Sequence, residues 1–209
     1  MERELRESMI KSAETGKKFI PRDKIDNIVT PISVKRELQG RLQQPESNID
    51  RLVEQIFTPP TRRRIFSILL LIEKVEKIED VIADDLWDRD LPLLLQKHRR
   101  GRNDPTHPTG MQHSGRLQSW STFLLESFET YQYMFTAPFF RYSPEGAQHY
   151  ALGHDDTILP FIEDGDPAGV AAGGYSDVWK VKIHPAHHNC YHENVSLDPR
   201  VRHKPHFGD

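Results

Sequence analysis

The chain has 209 residues, of which 36% are hydrophobic and 28% charged, and its formal net charge is -3. With a mean hydropathy of -0.65, this fits one or two domains with a modest core and exposed connecting segments, and it argues against a general nucleic-acid binder. The single Cys190 excludes an internal disulfide and fits a reducing compartment.

No apolar run follows the charged start MERELRES, so no secretory leader is expected. The longest apolar run, 68–72, is far too short to cross a bilayer. The expectation is a soluble, intracellular, cytoplasmic protein with no membrane and no nucleic-acid partner. Composition leaves the oligomeric state open.

In chain order, Leu5, Met9 and Ile10 give residues 1–14 a short helical spacing. Pro21 stands where a first-turn proline would, ahead of a helix over 22–29 with Ile25, Ile28 and Val29 on one face. Thr30 is a suitable cap for a helix over 34–42, and Ser47 or Asn48 for one over 49–57. These segments read as a small helical bundle without a cluster of catalytic residue types.

Thr58-Pro59-Pro60-Thr61 is a stop followed by a start. Ile65, Ile68, Leu69, Ile72, Val75, Ile78 and Ile82 then recur at three and four residues, which predicts a long amphipathic helix over 62–83. Between Glu73 and Asp90 there are eight acids against three bases, with Arg62, Arg63 and Arg64 before them. Such a face is either a solvated helix surface or a docking surface for a protein partner. Asp88-Arg89-Asp90-Leu91 has the look of a kinase catalytic loop, but it precedes the glycine-rich stretch, so it reads as the turn ending the long helix.

Residues 1–100 thus form a helical N-terminal region. Gly, Pro, Asn, Thr and His dominate 101–116, a flexible linker. Trp120, Phe123, Leu124, Phe128, Tyr131 and Phe135 then give 117–135 a helical spacing that Pro138 ends, the aromatic helix of a segment 117–140, with Phe139, Phe140 and Tyr142 extended beyond it.

The stretch 171–181 reads AAGGYSDVWKV. A glycine turn feeding an alternating strand has the form of a phosphate-cradling loop, because glycine has no Cβ to keep the backbone from the phosphate oxygens. Tyr175 would fold over the loop tip and Val178 would pack on a nucleobase. Val178, Lys180 and Lys182 alternate with Trp179, Val181 and Ile183, as in a strand. The same residues also suit a plain glycine-containing hairpin. Downstream, His184, His187, His188, Cys190 and His192 offer zinc-ligand types, although Pro185 and the lack of a C-x-x-C pair fit a loop as well.

The glycine stretch resembles the glycine-rich loop of protein kinases, G-x-G-x-[FY]-[GS]-x-V, with Ala171, Gly173 and Ser176 at the three glycine positions. Ala171 departs from the pattern and would tighten the turn. LPFIED at 159–164 and VWKVKIHPAHHN at 178–189 are similar to a group of fungal serine/threonine protein-kinase-like proteins with a helical region before the kinase domain. RRRIFSILLLIEKVEKIEDVI also resembles that helical region.

The resemblance implies a mainly α chain whose helical N-terminal region is followed by a short β-hairpin fragment of a kinase N-lobe over 155–209. Residues 159–162 and 178–183 would be its antiparallel strands. It implies ATP phosphates and adenine at Ala171, Gly173, Gly174, Tyr175, Ser176 and Val178. ATP with magnesium serves the parent family; this chain has either that pair or no cofactor. Its 209 residues hold no V-A-x-K strand, no H-R-D loop and no D-F-G, so the expectation is a truncated kinase-like chain with no catalytic residue, no metal ligand and no phosphoryl transfer. The alternative is a non-catalytic helical interaction module that keeps a remnant kinase loop, with the helical region as its partner surface.

Overall fold

The computed structural model describes residues 1–93, 115–141, 156–163 and 181–189. These residues are mainly helical. The helices are α1 (Glu2–Glu7), α2 (Arg22–Ile28), α3 (Pro31–Arg41), α4 (Glu46–Phe57), α5 (Arg63–Leu71), α6 (Ile78–Ala83) and α7 (Thr122–Gln132). Two small antiparallel sheets accompany them: β1 (Ile10–Lys11) with β2 (Lys18–Phe19), and β3 (Phe161–Glu163) with β4 (Lys182–Ile183). The helix expected over 1–14 ends at Glu7, and Ile10 lies in β1 instead.

The middle of the fold is α5. Every residue from Ile65 to Leu71 is buried, so beyond its first turn this helix has neighbours on all sides. The one polar residue of that stretch, Ser67, donates its hydroxyl to the Arg63 carbonyl at 2.7 Å. Around it, Leu5, Ile25, Val34, Leu38, Ile49, Leu52 and Ile56 of α1 to α4 close one continuous core with Leu124 and Phe128 of α7. Local sequence sets several boundaries. Thr30 Oγ1 accepts from the Ser33 amide at 3.2 Å while Ser33 Oγ accepts from the Thr30 amide at 2.9 Å, a capping box that starts α3.

The helix expected over 62–83 is two helices joined by a 3-10 turn, Val75–Lys77. Its break has a local cause. Glu73 takes a left-handed φ of 57°, which lets its amide reach the Leu70 carbonyl at 3.1 Å and the Lys74 amide reach the Leu69 carbonyl at 2.8 Å. That pair of bonds is a Schellman motif, and it ends α5. The same motif ends α6, with Asp85 at φ 52°, the Asp85 amide on Ile82 at 3.2 Å and the Leu86 amide on Val81 at 3.1 Å.

Polar side chains tie distant segments together. Gln132 is fully buried: its Oε1 accepts from the Leu93 amide at 2.7 Å and its Nε2 donates to the Leu93 carbonyl at 3.0 Å, as a neighbouring strand would. Asp84 accepts from the Arg116 and Leu117 amides at 2.8 and 2.9 Å. Its carboxylate sits so close to Gly115 that a Cβ there would fall 2.4 Å from Oδ1, so any side chain at this position would have to displace the carboxylate from the two amides it accepts from. The helix expected over 117–135 is a 3-10 turn, Arg116–Ser119, followed by α7. Among the described residues, no helix is long and apolar enough to cross a membrane.

Candidate functional site

The strands on either side of the glycine-rich stretch pair with each other. β3 and β4 run antiparallel, with Phe161 opposite Ile183 and Glu163 opposite Lys182, and with an irregularity between the two pairs. The Lys182 ammonium and the Glu163 carboxylate form a cross-strand ion pair. The pairing begins at Phe161 rather than Leu159, because Pro160 has no amide to give a ladder and its carbonyl accepts from His184 N at 2.8 Å instead. Ala171, Gly173, Gly174, Tyr175, Ser176 and Val178 lie outside the described residues.

The strand pair is fastened to the helical body along a seam. The Ala13 amide donates to the Phe161 carbonyl at 2.8 Å, bringing in the β1–β2 hairpin. Ile162 packs against a second small core of Phe19, Tyr133, Ala137 and Ile158. Phe140 bridges to His188, its amide donating to the His187 carbonyl at 2.8 Å, and its ring stacks on Phe161 at 6.3 Å.

His187 is the hub of the seam and is only 1% exposed. Its Nε2 accepts from the Arg22 amide at 3.3 Å, so the proton sits on Nδ1, which donates to the Pro138 carbonyl at 2.9 Å. The edges of Phe19 and His184 pack around it, at 5.4 and 5.9 Å between ring centres. Burial pushes its pKa down to about 4, opposed by the Pro138 bond and reinforced by His184, Arg22 and Arg64. Both ring nitrogens are engaged within the fold, so His187 is a satisfied core histidine and not a ligand. Among the described residues, no group of three or more His, Cys, Asp or Glu is placed to hold a metal; Cys190 and His192 lie outside them.

The acidic segment after α5 is partly internal. Asp80 accepts from Trp120 Nε1 at 3.0 Å, and Asp85 meets Arg62 Nη2 at 3.2 Å. Asp88, in the segment resembling a catalytic loop, caps α5: its carboxylate accepts from the Arg64 and Ile65 amides at 3.0 Å and from the Thr61 hydroxyl at 2.9 Å. Burial raises the Asp88 pKa, and those hydrogen bonds oppose the rise. A sequence reading as turn or solvated face misses this role, because the partners lie more than twenty residues back along the chain.

The same region holds a cleft absent from the sequence reading. Arg22, Arg63, Arg64 and Arg89 line it with Asp26, Asp88, Pro60 and Thr61. The signal in the sequence is the run Arg62-Arg63-Arg64, whose members point to different places. Arg62 is buried, with its guanidinium 3.2 Å from the centre of the Trp87 ring and bonded to the Leu86 and Gln55 carbonyls at 2.7 and 3.0 Å.

Against protein-family models, curated proteins and solved structures, the chain matches none.

Proposed function

We propose that the chain is the N-terminal portion of a serine/threonine protein-kinase-like protein, in which a helical region carries the first strand pair of a nucleotide-binding lobe. The observation that supports this reading is the antiparallel pairing of Phe161–Glu163 with Lys182–Ile183 across the glycine-rich stretch. In this reading the amides of Gly173 and Gly174 take the phosphates of ATP, Tyr175 covers them, Ala171 and Ser176 complete the turn, and Val178 packs on adenine. Magnesium would enter with the nucleotide; no residue of the chain is assigned to it. Kinase catalysis is almost entirely positioning and electrostatic stabilisation, and these 209 residues contain neither the lysine strand nor the two acids that supply them. Nucleotide binding without transfer is therefore the activity proposed for them.

The alternative of a helical interaction module gains less support. The apolar faces of α5 and α7 are buried in one core, and Ile32 and Phe123, at 74% and 77% exposed, stand on different helices.

Photolabelling of the full chain with 8-azido-ATP and magnesium, mapped by peptide mass spectrometry, tests the proposal. The label is expected within 171–178 and is expected to be lost when Gly173 and Gly174 are both changed to valine. Absence of label, or label confined to the helical region, would contradict it.

A further inference from the structure

We propose that the cleft between the start of α2 and the start of α5 binds a phosphate dianion, with Arg64 and Arg22 as its principal ligands. The cleft has a volume of about 360 Å³, room for a phosphate group and its substituent. Four arginines line it against two aspartates, in a chain whose formal net charge is -3. The excess of positive charge is therefore local and not a property of the whole surface.

The aspartates are already engaged. Asp26 holds Arg63 at 2.9 Å. Asp88 accepts from two α5 amides and from Thr61. What remains is Arg64. Among the described residues its guanidinium makes no hydrogen bond and no ion pair, although the residue is partly buried. Its neighbours in sequence differ: Arg62 has three partners and Arg63 has one. Burial and the nearby Arg22 cation pull the Arg64 pKa down, with Asp88 and Asp26 opposing only in part, so a cation is held where an anion would relieve it.

Arg22 supplies the second fork. Its guanidinium carbon lies 4.9 Å from the centre of the Phe139 ring, a cation–π contact that uses the face of the guanidinium group and none of its N–H donors. Two guanidinium groups with free edges favour a tetrahedral dianion, which accepts from both, over a single carboxylate. Arg63 and the exposed Arg89 also line the cleft. The dianion could be a free phosphate or the phosphate of a phosphorylated side chain, and the two share this chemistry.

Calorimetric titration of the full chain with inorganic phosphate and with O-phosphoserine, in parallel, tests the proposal. Saturable binding is expected for at least one of them, weakened ten-fold or more by Arg64→Gln and unchanged by Arg51→Gln, an exposed control on α4. Binding of phosphate alone would identify the free ion as the ligand, and stronger binding of O-phosphoserine would identify a phosphorylated side chain; both support the site. Should Arg64→Gln fail to fold, the Arg Nε–H signals of the wild-type chain give the answer: those of Arg22 and Arg64 are expected to shift on adding phosphate. No saturable binding, binding indifferent to Arg64→Gln in the folded variant, or Nε–H shifts confined to other arginines would overturn the proposal.

Discussion

At the scale of single residues, His187 carries the clearest consequence. It is neutral in the fold, because the Arg22 amide and the Pro138 carbonyl occupy its two nitrogens and burial opposes a charge. Its pKa is about 4 in the fold and about 6.5 in the unfolded chain. Between those values the unfolded chain binds more protons, so stability rises with pH. It is complete above about pH 6.5 and is lost as pH falls toward 4, by up to about 3 kcal/mol in all. Urea unfolding between pH 7.5 and pH 4.5 is expected to show that loss, with a shallower slope in His187→Gln. An equal slope in the two proteins would contradict the assignment. One histidine among the four of HPAHHNCYH gives no sign of this in sequence, since the partners are backbone groups 49 and 165 residues away.

At the scale of elements, the instructive case is the helix that breaks. The apolar residues from Ile65 to Ile82 keep a three-and-four spacing through the interruption, so periodicity alone reads one helix. The usual stop signal is a glycine after the last turn, but here Glu73 and Asp85 adopt the left-handed conformation themselves. A non-glycine residue there costs about 1–2 kcal/mol, and glycine loses about 0.5–1 kcal/mol through backbone entropy. Glu73 is exposed, so Glu73→Gly is expected to raise stability by about 0.5–1 kcal/mol in chemical denaturation, and the β-branched Glu73→Val to lower it. A loss of stability with glycine would argue against the motif. By contrast, α2, α3 and α4 were legible within a few residues, because proline, threonine and one apolar face announced them.

At the scale of the whole molecule, mainly helical character and an antiparallel strand pair around the glycine-rich stretch could both be read from the chain. What could not be read was how the two are joined. Ala13 joins Phe161, and Phe140 joins His187 and Asn189 just after β4, through backbone bonds, while the His187 ring bonds the backbone of Arg22 and Pro138; backbone partners leave no trace in residue type. The arginine cleft was hidden for a related reason: Arg22 and Arg64 are 42 positions apart in sequence and share a cleft only once α2 and α5 pack. The central proposal is that 171–178 is a nucleotide loop held between strands mounted on a helical body. Hydrogen exchange of the full chain with and without magnesium-ATP measures it most directly. Slowed exchange centred on 171–183, absent when Gly173 and Gly174 are both valine, is the result expected. Unchanged exchange across 171–183 at saturating nucleotide would contradict it.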